Sequence, residues 1–132
     1  MLLGLLLFSG VTALITGTLL VAFPQGGSVM PLSLLEDTRV PSFRLPGLLL
    51  IGVIAMLHLS AAIAIVRRAA YADWLSAAAG VAMCAWVLIQ IAVMNRWHWI
   101  HPIFLIVGTL TAELAMAWIA REQREHSEHA TA

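Results

Sequence analysis

Residues 46–66 read PGLLLIGVIAMLHLSAAIAIV, a run without a charged side chain in which only His58 and Ser60 interrupt the apolar pattern. A hydrocarbon core about 30 Å thick is crossed by roughly 20 apolar residues, each rising about 1.5 Å along a helix. An amide left unpaired in lipid costs several kcal/mol, so a single spanning segment must pair all of its own backbone groups. The stretch predicts a transmembrane helix.

Three further segments meet the same test on either side of it. Residues 1–23 carry no charged side chain, residues 73–94 contain Gln90, and residues 101–120 contain Glu113. The reading is an all-α membrane protein, a bundle of four transmembrane helices at about 1–23, 46–66, 73–94 and 101–120, forming one domain over residues 1–120. Composition agrees, with 61% hydrophobic and 11% charged residues and a mean hydropathy of +0.94, against about half apolar and a quarter charged in a soluble domain. The first segment lacks the positive flank of a signal peptide and exceeds the usual apolar core of about 7–15 residues, so it is expected to be retained.

The connections differ in length. Residues 24–45 form the single long extramembrane loop, rich in Pro and Gly, with a single helical turn expected at Leu32 to Asp37 and Pro46 opening helix two. Residues 67–72 and 95–100 are short, so helices two, three and four are expected to run as antiparallel neighbours. The polar tail, residues 121–132, is expected to fray. An even number of spans places Arg67, Arg68, Arg121 and Arg124 on one side with both termini, against Arg39, Arg44 and Arg96 on the other. That balance, with Arg67 and Arg68 on a tight loop, favours both termini in the cytoplasm. Trp97 and Trp99 then belong to one aromatic belt and Tyr71 and Trp74 to the other.

Candidate site residues follow from the cost of polar groups at membrane depth, about 2.5 to 3.5 kcal/mol for a charge. Glu113 lies about 18 Å down helix four from His101, and His58 lies at a similar depth on helix two, counted at about 1.5 Å per residue. A His58–Glu113 bond across helices is the expectation; it is ordinary interhelical glue, a functional pair that carries a proton or grips a ligand head, or absent with Glu113 simply protonated. Trp86 and Gln90 share a face of helix three, one turn apart, and are read either as the mouth of a cavity or as residues bonding a neighbouring helix. His98 and His101, flanked by Trp97, Trp99 and Pro102, are the metal candidate, although a zinc site normally takes three or four ligands and belt histidines are the plainer explanation. Ser9-Ala13-Gly17 and Ser76-Gly80-Cys84 are small-residue rows of the kind that let helices pack closely, inside the bundle or in a homodimer.

At Met30-Pro31-Leu32-Ser33-Leu34-Leu35, then Val40-Pro41-Ser42-Phe43 and Leu45-Pro46-Gly47-Leu48-Leu49-Leu50, the chain resembles an uncharacterised family of small four-helix bacterial inner-membrane proteins with a Leu-rich turn, a Pro-Phe segment and an (Ile/Leu)-Pro-Gly-Leu start to helix two. The resemblance continues through Trp86, Gln90 and His101-Pro102-Ile103-Phe104, with His101 where the family pattern has Gln. It implies the four-helix topology and a bacterial inner-membrane location, and no activity.

No phosphate loop, nucleophile triad, haem motif or zinc-protease motif occurs, so the sequence leans away from an enzyme and calls for no cofactor. Seven basic residues, all Arg, balance seven acidic ones, which gives no basic surface for nucleic acid. Expected partners are the lipid bilayer, other membrane proteins or a second copy. The best-supported role is an accessory or structural component of the membrane; the alternative is a small-molecule or lipid binder, or an intramembrane enzyme, using a cavity lined by His58, Gln90 and Glu113. A channel is weaker still, since too few polar residues line each helix.

Overall fold

The computed structural model describes residues 1–26 and 31–132, and among them it is an all-α bundle. Residues 27–30, which hold the first residue of the Met30 motif and part of the expected 24–45 loop, lie outside the described residues. Four helices are long and apolar enough to cross a membrane: α1 (Leu2–Ala22), α2 (Arg44–Val66), α3 (Ala72–Met94) and α4 (Ile100–Thr131). They alternate in direction, so one end of the bundle carries the first residue of α1 and the α2–α3 turn. This is the terminal end; the other, with residues 31–43 and the α3–α4 turn, is the loop end.

Helix α2 begins at Arg44, two residues before the expected start, so Pro46 sits in the first turn, where a missing N–H leaves no helical bond unmade. Leu50–Ala55 forms a π-helical turn inside it, a wider winding that sequence periodicity does not announce. The α2–α3 turn closes by a Schellman motif. Arg68 N–H bonds Ile65 O at 3.0 Å and Ala69 N–H bonds Ala64 O at 2.9 Å, with Arg68 in the left-handed region at φ 53°.

The C-terminal segment corrects the expectation of fraying, because α4 continues without a break to Thr131. Arg121 and Glu125, Arg124 and Glu128, and Glu122 and His126 stand one turn apart there, a spacing that supports an exposed helix. His129 Nδ1–H donates to Glu125 O at 2.8 Å.

Helices α1 and α2 pack along their length, as do α3 and α4, giving two hairpins. Small residues make this possible. A Cβ added at Gly80 would lie 2.5 Å from the Ala112 nitrogen and 2.7 Å from Gly108 O, and one at Gly17 would lie 2.8 Å from Gly47 O. The two small-residue rows therefore face inward, within and between the hairpins.

The hairpins meet unevenly. The Met56–Val66 half of α2 packs on α3, whereas Arg44–Leu49 hardly touches it, and α1 meets α4 over a short stretch. At the terminal end the core includes Leu2, Leu6, Ala61, Ala62, Ala79 and Ala115. At the loop end the core is Ala13, Ile54, Ala55, Met83 and Val87, with Trp86 and Phe104 against it. The Leu32–Leu35 3-10 turn, where a helical turn was expected, tucks Leu35 against Leu20 and Phe43, while Phe43 N–H bonds Pro24 O at 2.9 Å. Arg96 and Asp37 approach at 3.8 Å, joining the two hairpins across the loop end with an exposed ion pair of little energetic weight.

Candidate functional site

Between the two apolar cores each hairpin buries polar side chains. Ser9 follows Leu6 and precedes Ala13, His58 lies between Ile54 and Ala61, and Thr111 precedes Ala115; all three are 0% exposed. Thr111 Oγ donates to Val107 O at 2.7 Å. His58 Nδ1 lies 2.8 Å from Ile54 O, and since a carbonyl only accepts, the neutral ring carries its proton on Nδ1. That leaves Nε2 as an acceptor without a hydrogen-bond partner among the described residues, as is Ser9 Oγ. A Cβ on Gly10, next to Ser9, would lie 3.3 Å from His58 Cβ, so α1 and α2 cross closely at this level.

The expected His58–Glu113 bond is not formed. Glu113 is exposed on the outer side of α4, while His58 is enclosed by the bundle. Thr111 and Ala115, which face the core, each stand two residues from Glu113, and two residues turn an α-helix by about 200°, so the carboxylate points away from the core. Equal depth fixed the height of the two groups and left their direction open. Glu113 makes no hydrogen bond or ion pair among the described residues.

Trp86 and Gln90 do share a concave site. A cavity of about 120 Å³ lies inside the bundle toward the loop end, lined by Thr12 and Thr16 from α1, Pro46 and Leu50 from α2, Trp86 and Gln90 from α3, and His101 and Phe104 from α4. Neither His58 nor Glu113 lines it. A crevice of about 130 Å³ adjoins it between α2 and α3, and Pro46, Trp86, Gln90 and Met94 line both spaces. The outer lips of the crevice, Leu45, Leu49, Ile89 and Val93, are exposed on the surface that would face lipid.

Sequence reasoning placed His101 in an aromatic belt or a metal pair, and the structure turns it inward. It is 5% exposed and lines the cavity, with the Trp97 ring set edge-on to it at 6.0 Å. His98 N–H donates to His101 Nδ1 at 3.1 Å, so the neutral ring bears its proton on Nε2 as a free donor. His98 and His101 gain no third ligand: among the described residues no group of three or more His, Cys, Asp and Glu is placed to hold a metal ion. The signal for His101 was present, since it lies seven residues before Gly108 and so shares the inward face of α4. Thr12 and Thr16 carried no comparable signal.

At the terminal end a wider groove of about 760 Å³ runs between the α2–α3 turn and the extended part of α4, lined by Arg68, Asp73, Glu122, Glu125, His126 and His129. It is open, and Ile65, Ala69, Ala70, Ala72 and Trp118 complete its lining with apolar surface. No family model, curated protein or solved structure matches the chain, which on its own geometry is a multi-pass membrane protein of four spans with a cavity at the loop end.

Proposed function

We propose that the chain is an accessory or structural component of a bacterial inner membrane, docking on another membrane protein through the outer side of α4. The observation that carries this is Glu113, exposed at membrane depth and without a partner among the described residues. Ionisable side chains within spans almost always face a bundle interior or a partner, because lipid offers them neither hydrogen bonds nor counter-charge. No Arg lies at that depth in this sequence, so a second copy brings no basic partner, and the fitting occupant is a foreign helix that presents a hydrogen-bond donor. Ile106, Leu110 and Met116, also exposed, share the face and supply the apolar surround. On this reading both termini lie in the cytoplasm.

A photoactivatable residue at Leu110 or at Ala117 tests it in living cells. The expected result is a crosslink to one membrane protein whose peptide carries a donor side chain at matching depth, kept in Glu113→Gln and lost in Glu113→Leu. Crosslinks to lipid alone, or a protein crosslink indifferent to Glu113→Leu, overturn the reading.

A further inference from the structure

The loop-end cavity holds a set of hydrogen-bonding groups that the fold does not use. Two of the buried hydroxyls elsewhere close on their own helix, Ser76 Oγ on Ala72 O at 2.7 Å and Thr111 Oγ on Val107 O at 2.7 Å. Thr12, Thr16 and Gln90, by contrast, make no side-chain hydrogen bond among the described residues, and all three line the cavity. His101, 5% exposed, lines the same space, and with Nδ1 held by the His98 amide its Nε2–H is left without a hydrogen bond among the described residues. Four side chains with donor groups thus line one largely apolar cavity, and no charged side chain lines it.

This donor set selects its ligand. Without a charge in the lining, a phosphate or carboxylate head has no counter-ion and would remain desolvated. Threonine hydroxyls, a glutamine amide and an imidazole N–H all donate to a carbonyl oxygen. The donors also stand on different helices: Thr12 and Thr16 lie on α1, whereas Gln90 lies on α3, a helix that packs chiefly on α2 and α4. A head with two opposed carbonyls meets both sets, and a single ester carbonyl meets one. The cavity of about 120 Å³ is close to the roughly 150 Å³ that accommodates a benzene ring in an apolar protein core. The adjoining crevice, lined by Leu45, Leu49, Ile89 and Val93, gives an apolar path from that ring to the lipid.

We propose that this cavity is a binding site for a membrane quinone, its ring carbonyls accepting hydrogen bonds from Gln90 and His101 on one side and Thr12 and Thr16 on the other, its tail leaving between α2 and α3. The site is separate from the Glu113 face and stands or falls without it. The narrow volume restricts occupancy to the ring, and the tail adds apolar contact along exposed α2 and α3 side chains. Trp86, which lines both spaces, sits where ring and tail join.

The test uses the full chain in nanodiscs, with Trp74, Trp97, Trp99 and Trp118 replaced by Phe so that emission comes from Trp86. The probe is a benzoquinone bearing a ten-carbon tail. Saturable quenching of Trp86 and a rise in melting temperature with probe concentration are expected. His101→Phe and Gln90→Leu should each weaken the probe about tenfold, the loss of one hydrogen bond from a buried acceptor. Thr12→Val, which keeps side-chain shape, serves as the second variant should either of those fail to fold, with a weakening in the same direction. Decylbenzene and phosphatidylcholine are the competitors. Displacement by decylbenzene at equal concentration shows that carbonyls are not recognised, and displacement by phosphatidylcholine makes the cavity a lipid site; either result overturns the proposal, as does quenching unchanged by all three variants.

Discussion

The terminal half of the bundle and its loop half are built from the same four helices and pack by different means. In the terminal half, alanines face one another: Ala61, Ala62, Ala77, Ala79 and Ala115 are buried and the helices come together over them. In the loop half, Met83, Trp86, Val87 and Phe104 occupy the corresponding positions, the outer part of α2 stands away from α3, and a cavity remains. In lipid no apolar solvent force closes such a gap, since lipid tails are as apolar as the helices; only close contact and hydrogen bonds hold helices together. Small side chains therefore decide where the bundle is tight, and large ones where it is open.

The sharpest way to break this contrast is at the point where α3 and α4 touch through their backbones. Gly80→Leu should destabilise the protein by about 3 kcal/mol, the upper range for an overfilled contact, because its Cβ meets the Ala112 nitrogen and Gly108 O, which cannot swing aside. Thermal unfolding in detergent reads the effect, and a loss under about 1 kcal/mol would mean that α3 and α4 part more easily than this contact implies. A matched pair comes next. Ala61→Leu, at a site 0% exposed in the terminal half, should cost about 2 kcal/mol by overpacking, while Ala13→Leu points into the loop-end cavity and should cost less than about 1 kcal/mol or stabilise. Equal losses at the two sites would erase the difference between the halves. The smallest effect is expected at their boundary. Ser9 Oγ is buried without a partner, so Ser9→Ala removes a cost and should change stability by less than about 1 kcal/mol, in the stabilising direction. A clear loss instead would show that Ser9 and His58 act together.

Much of the fold was legible because bilayer thickness fixes how long an apolar run must be, and residues 46–66 satisfy that length without further context. The helix ends were less so: residues 121–132 were expected to fray on account of their polarity, although their charges stand one turn apart and α4 runs on to Thr131. In the site, Trp86 and Gln90 were legible because four residues along a helix return to the same face. His58 and Glu113 were joined by depth alone, and the angle around α4 was ignored. Gly108, Thr111, Ala115 and Ile119 define the buried stripe of that helix; Glu113 falls off it, and His101 falls on it. The π turn at Leu50–Ala55 has no counterpart in the spacing of side chains, so the widening of α2 beside the cavity was beyond reach.

Helix α4 has 32 residues, about 48 Å at the usual rise, and a bilayer accounts for some 30 Å of it. The remainder is a stiff mast, continuous with the helix that touches α3 at Gly108 and lines the cavity through His101. A change of tilt or rotation at either place is carried to Ala132 with its lever arm intact, rather than being lost in a flexible tether. A reporter fused there would act as a pointer, registering in its position outside the membrane what happens to the helix within it.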